Sequence, residues 1–385
     1  VSLRTGFDNE WYRAAAVSFS IAMPRSFNVC HWLVYDPRMD VAFLASSRKT
    51  TRYQQDPAFI YRCENLGHAL RAKSLNVAWG HSLTWRIPPS VGCVVVHRPR
   101  VSFRLWRLVR RLKRMGTRLV ADLDDLVFDE SLAEYSPAVR NGREPLWRQQ
   151  RLFREHRGAI KWFDHVTVST DALCQHVHRC FPGKPVTVVH NAVHWHWRRE
   201  LQGMGERNAQ SARRVLTYLP GTRSHDRDFS MIAGPLSQFL RFHPEVELRI
   251  TGPLNCRLDV PPRQVRHGDK VAFANYHQQF DGIWVNLAPL EDTPFNACKS
   301  ALKALEAGYW GIPTICSPNP DYQRYTTAGA MVASSPEDWL QALERLTDED
   351  QYRLLHSGLR ERTLHLADVE QCASRFVDQV LARTD

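Results

Sequence analysis

The feature that most limits the fold is a rhythm. Short apolar runs without clean alternation are each followed by a helical stretch, and the series occurs twice. In residues 1–195 the runs FNVCHWLVY (27–35), NVAW (76–79), VGCVVVH (91–97), TRLVADL (117–123), HVTVST (165–170) and PVTVVHN (185–191) read as strands. Helices are expected between them over 57–73, 101–115, 145–162 and 171–180. Residues 214–366 repeat the pattern with VLTYLP (215–220), VELRITG (246–252), IWVNLAP (283–289), IPTICS (312–317) and AMVAS (330–334). Helices there fit 228–242, 297–308, 336–346 and 349–365. Unalternating apolar runs joined through helices indicate parallel strands buried on both faces. Two such series imply an α/β chain with two Rossmann-like, doubly wound sheets. The polar stretch 196–213 has no apolar period and reads as a linker. The last segment, 367–385, has apolar residues at helical spacing and is expected to pack back on the first domain.

Charge divides the chain. Residues 1–200 carry 31 Lys+Arg against 17 Asp+Glu, a net of +14; the remaining 20 against 23 give −3. A basic first half suits nucleic acid, anionic lipid or an anionic acceptor. Much of the charge lies in VSFRLWRLVRRLKRMG (101–116), where arginines and a lysine surround Leu105, Leu108, Val109 and Leu112. It reads equally as a membrane-resting amphipathic helix and as a sheet-covering helix with a solvated basic face. No apolar run reaches 18 residues, so no membrane span is expected, and no secretory leader pattern is read. The 9 cysteines form no CxxC pair and suit reduced thiols. The expected location is therefore cytoplasmic, peripheral to the inner face of the membrane. No helix-turn-helix, zinc finger or aromatic RNA-binding motif accompanies the charge, and no nucleic-acid partner is expected.

Two βα domains in tandem leave a cleft at the carboxyl ends of their strands. One stretch bears directly on it: PLEDTPFNACKSALKALE (289–306), a strand end, a loop and a helix. Asn296 reads as the N-cap, and Lys299, Lys303 and Glu306 then fall on one helical stripe. A helix start presents free N–H groups and partial positive charge. Two lysines there suit a diphosphate, and a carboxylate two turns on suits a diol such as that of ribose. The competing reading is a solvated face with a Lys303–Glu306 pair contributing ~0.3 kcal/mol. A second stretch, LTYLPGTRSHDRDF (216–229), follows the first strand of the second series. Gly221 lets backbone approach a phosphate, and Thr222, Arg223 and Arg227 supply donors, although a plain tight turn reads the same.

These words, with HPEVELRITGPL (243–254), VVVHRPR (94–100) and DLDDLVFD (122–129), resemble the bacterial glycosyltransferases of family 4, of the cell-surface polysaccharide type. The likeness is strong over about 213–320 and thinner over 1–200. It implies the GT-B fold, two Rossmann-like domains facing across a cleft. It implies transfer of a sugar from a nucleotide-diphosphate donor to a hydroxyl of a glycan or lipid-linked acceptor, with retention, in lipopolysaccharide or capsule synthesis. By the same resemblance Gly221, Thr222, Arg223 and Arg227 meet the donor diphosphate, with Phe295, Asn296, Lys299, Ser300 and Lys303. Glu306 matches the second acid of the family's Glu–seven residues–Glu pattern and holds the ribose. The first acid of that pattern falls on Cys298, a departure that touches sugar recognition. No cofactor or metal is expected, since lysines, an arginine and a helix start can stabilise the charge growing on the leaving group.

In the first domain His97 ends an apolar strand and is a candidate to face the cleft, with Arg98 on the acceptor side. Asp122, Asp124 and Asp125 invite a metal reading. Asp122 and Asp125 are preferred as acceptor-side, loop-ordering or catalytic carboxylates. Rival functions are a nucleotide-sugar epimerase, a phosphorylase, a basic nucleic-acid binder and an inactive scaffold.

Overall fold

The computed structural model describes residues 39–47, 50–201, 214–221 and 225–382. Its strands are β1 (Met39–Ala45), β2 (Val77–His81), β3 (Val91–His97), β4 (Arg118–Leu123), β5 (His165–Val168), β6 (Val186–Val188), β7 (Val215–Tyr218), β8 (Glu247–Thr251), β9 (Val265–Gly268), β10 (Val285–Ala288), β11 (Thr314–Cys316) and β12 (Ala330–Val332). They form two six-stranded sheets, ordered β2-β1-β3-β4-β5-β6 and β12-β11-β10-β7-β8-β9. Every pairing is parallel.

Strand residues of the first sheet alternate between two cores. Ala42, Leu44, Val94, Val96, Leu119 and Ala121 face one side, under the helices Phe103–Arg114, Leu146–Ile160 and Asp171–Cys180. Val41, Phe43, Val95 and Val120 face the other. There the helix Asn65–Ala72 and the C-terminal helix Val369–Phe376 cover them, the latter through Val369, Ala373 and Phe376. Burial on both faces is why these runs lack polar alternation. The second sheet is built alike, with Leu216, Leu248, Val285 and Ile315 against Phe239, Trp339 and Leu343. On its other face Ala304, Leu305 and Ala307 pack with Tyr309 and Trp310.

Two strands escape the sequence reading. β9 (VRHG) is an exposed edge with little apolar content, so it leaves no hydrophobic signal. β1 (MDVAFLA) is not among the expected strands, and the strand expected at 27–35 lies outside the described residues. The polar stretch read as a linker includes the end of a helix, Trp195–Glu200, whose Trp197 is buried among Phe273, Tyr309 and Trp310. Residues 202–213 of that stretch lie outside the described residues. At Gly252 (φ +126°) an added Cβ would stand 2.3 Å from the Pro220 carbonyl oxygen. Only glycine lets the loops after β7 and β8 approach so closely.

Candidate active site

The loop after β10 departs from the single helix expected over 297–308. Thr293, not Asn296, is the N-cap of a short helix Pro294–Ala297; its Oγ1 accepts from the Asn296 N–H at 3.1 Å. Pro294 sits at the first turn, where its missing N–H costs nothing. The chain then leaves helical geometry and resumes it at Leu302–Tyr309. Long-range partners hold the break open. Thr170 donates to the Cys298 carbonyl (2.9 Å), Asn191 donates to Ser300 Oγ (2.8 Å), and the Asp321 carboxylate accepts the Ala301 N–H (2.7 Å). Lys299 therefore lies in the break, off the stripe. Lys303 and Glu306 remain one turn apart in the second helix. Phe295 joins the first sheet's core, as does Cys298, so this loop is the seam between the halves. Lys299 Nζ stands 5.9 Å from the Phe295 ring centroid.

Among the described residues neither Lys299 nor Lys303 has a carboxylate partner within salt-bridge distance. Burial, with the repulsion of Lys299, pushes the Lys303 ammonium down to about 8. Asp228 and Glu306 attract the Lys303 ammonium without reaching it, so two neighbouring cations stand without a direct ion pair, which is costly to keep in a fold. Three residues on, Glu306 is buried, which pushes its carboxyl up to about 7. Its oxygens accept the phenol of Tyr61 (2.6 Å), from the first half, and that of Tyr276 (3.1 Å).

Behind the lysines lies a pair that the sequence reading missed. His225 Nδ1 is 2.8 Å from Asp228 Oδ2, while Asp228 Oδ1 accepts from the Glu291 N–H (2.8 Å) and from Asn296 Nδ2 (3.1 Å). Burial, then Lys303 and Lys299, push His225 down to about 3. Burial works against the Asp228 carboxylate, but His225 and Lys299 hold it down at about 2. Asp228 is thus a fixed anion that ties the loop after β7 to the loop after β10. The H-x-x-D spacing at 225–228 was the available signal. Arg227 is engaged: it donates to Glu291 (2.9 and 3.2 Å), which also receives Arg140 from the first half. Gly221 is exposed, with open space where a Cβ would stand. Thr222 and Arg223 lie outside the described residues.

In the first sheet, register assembles the second half of the site. His97 on β3 is opposite Asp122 on β4, and Asp122 is opposite Thr167 on β5. Asp122 accepts from His97 Nδ1 (2.9 Å), Thr167 (2.8 Å) and the Arg62 fork (2.7 and 3.3 Å). Burial opposes its charge, but Arg62 and His97 hold the carboxyl well below the usual range. Both oxygens are taken, so Asp122 acts through His97 by fixing its ring. His97 Nε2 is buried without a hydrogen-bond partner. It stands 3.7 Å from Asp124 Oδ1, so Asp122 and Asp124 flank the two nitrogens of the ring. Arg98, at φ +47°, donates to Asp124 (2.8 Å) and Asp125 (2.6 Å). Burial raises Asp125, and the charge of Lys299 across the seam is felt there. The carboxylates of DLDD are thus held by arginines. The nearby group Cys63, His97 and Asp122 has metal-ligand proximity, but the Arg62 guanidinium on Asp122 makes it a poor cation site.

By sequence, the chain matches no protein-family model and no curated protein. By structure it is similar to sucrose-phosphate synthase from Thermosynechococcus elongatus (TM-score 0.58, 14% identity, covering 88% of this chain and 98% of that one). It is also similar to Anabaena Alr3699/HepE in complex with UDP and glucose (0.57, 11%, 90% and 100%). A third likeness is to WaaG, a glycosyltransferase involved in lipopolysaccharide biosynthesis (0.53, 13%, 88% and 98%). Two parallel six-stranded sheets, joined at a seam by the loop after β10 and matched nearly end to end by these proteins, give the chain the two-domain GT-B fold.

Proposed function

We propose that the protein is a retaining glycosyltransferase that moves a sugar from a nucleotide-diphosphate donor to a hydroxyl of a glycan or lipid-linked acceptor. The observation that carries the reading is the pair Lys299 and Lys303, neither in a direct ion pair among the described residues, with Lys303 one turn from Glu306, whose carboxylate accepts two phenols. The bond between the anomeric carbon and the β-phosphate oxygen breaks, and the acceptor oxygen bonds that carbon on the same face. The acceptor's proton leaves to the departing phosphate. Negative charge grows on that phosphate, and fixed cations there lower the barrier more than they tighten the ground state. His97, fixed by Asp122 at the end of β3, stands on the acceptor side in this reading. In this reading the two lysines do the work a metal would otherwise do, and no cofactor is used. The likeness to WaaG, involved in lipopolysaccharide biosynthesis, and to HepE, in complex with UDP and glucose, supports a cell-envelope glycan and a sugar nucleotide as the chemical class.

Calorimetric titration with UDP-, GDP-, dTDP- and CMP-sugars tests the donor site. For the nucleoside-diphosphate sugars both phosphates are esterified, so their charge is fixed between pH 6 and 9. Affinity is expected to peak between about 7 and 8. Below about 7 Glu306 takes up a proton and loses its pull on ribose hydroxyls. Above about 8 Lys303 loses its charge. Glu306→Gln removes the acid limb and Lys303→Met the alkaline one. No binding by any donor, or a profile flat in both variants and wild type, ends the reading.

The helix Phe103–Arg114 supports a peripheral position on an anionic inner membrane face. Leu105, Leu108, Val109 and Leu112 are buried on the sheet, which leaves Arg104, Arg107, Arg110, Arg111, Lys113 and Arg114 outward. Phe103 is 69% exposed and stacks on the exposed Trp106 (centroids 5.7 Å apart). This helix follows β3, so its N-terminus lies at the carboxyl end of the sheet, beside His97. A bilayer resting there brings a lipid-linked acceptor to the cleft. Among the described residues no helix is long and apolar enough to cross a membrane. Co-sedimentation with phosphatidylcholine vesicles is expected to rise steeply with added phosphatidylglycerol, at ~1 kcal/mol per engaged cation. It should fall in Phe103→Ser/Trp106→Ser. Indifference to anionic lipid refutes the membrane reading.

A further inference from the structure

The helical stretch 57–72 is not uniform. Between the α-helices Pro57–Phe59 and Asn65–Ala72 the residues Ile60–Glu64 form a π-turn. Such turns are rare and concentrate at functional places, because the extra residue re-aims the side chains around it. Here the turn carries Tyr61 and Arg62. Arg62 is fixed to Asp122, to the Val189 carbonyl and to Asn191. Tyr61 points the other way, across the seam, and its phenol donates to Glu306 at 2.6 Å over 245 residues of sequence. Tyr276 supplies the second phenol, from the same half as Glu306. The carboxylate therefore already holds two hydroxyls, as it would hold the two of a ribose.

We propose that Tyr61 is a positioning residue of the donor site: its phenol stands in for one ribose hydroxyl on Glu306 in the unliganded protein, and the incoming diol displaces it. The inference rests on the reading of Glu306 as the ribose acid. Burial decides between sharing and exchange. Tyr61 and Glu306 are each only 4% exposed, so a diol reaches the carboxylate only when a phenol leaves. Of the two phenols, Tyr61 belongs to the opposite half and leaves without disturbing the second sheet. Donor entry thus breaks a contact between the domains, and donor departure restores it. The empty site is kept closed to water and to ligands that lack a vicinal diol.

The test is calorimetry with UDP and GDP, each in ribose and 2′,3′-dideoxyribose form. Tyr61→Phe keeps the ring, with its edge contacts to Phe273 (5.5 Å) and His194 (6.1 Å), and removes only the donor. It is expected to bind the ribonucleotide about tenfold more tightly than wild type, the weight of one hydrogen bond to a charged group. The gain should vanish for the dideoxynucleotide, and also when Glu306→Gln is the background. A merely structural tyrosine would shift all of these alike. Ribonucleotide binding that is unchanged or weaker in Tyr61→Phe overturns the exchange, as does a gain that persists with the dideoxy form. Both results leave the donor site standing. A wild-type protein that binds no nucleotide overturns the donor site and the exchange together.

Discussion

Lys303→Met is expected to lower donor turnover by about 10²–10³-fold, the range for removing one fixed donor to a growing oxyanion. The assay contains a chelator, so that adventitious divalent ions do not replace the lost charge. The size of the effect follows from where the ammonium sits. It is largely buried, beside Lys299 and 5.9 Å from the Tyr218 ring centroid, with Asp228 and Glu306 near but neither in a direct ion pair with it. A charge in that setting is not screened by water and is already in place when the phosphate departs. The stability control has the opposite sign. Burial and Lys299 lower the Lys303 pKa from 10.5 to about 8, so the folded state disfavours its charge. At pH 7 that group opposes folding, and Lys303→Met should leave the unfolding midpoint equal or higher. Lost turnover in a protein of unchanged or greater stability isolates the electrostatic role. Turnover within a few-fold of wild type would refute it.

The architecture was legible because it is written in local patterns. Ten of the twelve strands among the described residues coincide with apolar runs, and the chemistry-bearing loops follow them as parallel βα units require. The loop at 293–306 was legible as a place where lysines and an acid meet. Its shape was not. The break at 298–301 depends on Thr170, Asn191 and Asp321, which are distant in sequence, and no local spacing announces them. The same limit hid Tyr61, whose partner is 245 residues away. It hid the role of Asp122 as well. The words VVVH and VADL contain both residues of the His97 pair, but only strand register puts them side by side. Arg227 shows the same limit from the other side: the turn suggested a phosphate donor, and its contact with Glu291, 64 residues on, could not be read from it. Short-range chemistry was readable, and cross-sheet chemistry needed the fold.

Register also makes the interior of the first sheet fragile in a specific way. Asp122 and Arg62 have side chains only 3% exposed, and each is the main counter-charge of the other. Removing one partner of such a pair leaves a buried ion uncompensated, at a cost of about 3–5 kcal/mol. Arg62→Met and Asp122→Leu are each expected to lower the stability of the first domain by that amount. The double variant should lose less than either alone, because no isolated charge remains and apolar groups fill the space. Some loss persists in it, since His97 and Thr167 also donate to Asp122. The pH dependence has a definite direction. The folded-state pKa of Asp122 is depressed, so its contribution is complete above the unfolded value near ~4. It disappears as pH falls toward the folded value. Urea melts at pH 7 and pH 3 read both effects. In wild type the midpoint should fall on acidification, and in the double variant it should fall less. Simple additivity at pH 7 would mean that the two side chains are not coupled. His97 would then owe its fixed ring to something other than the buried pair.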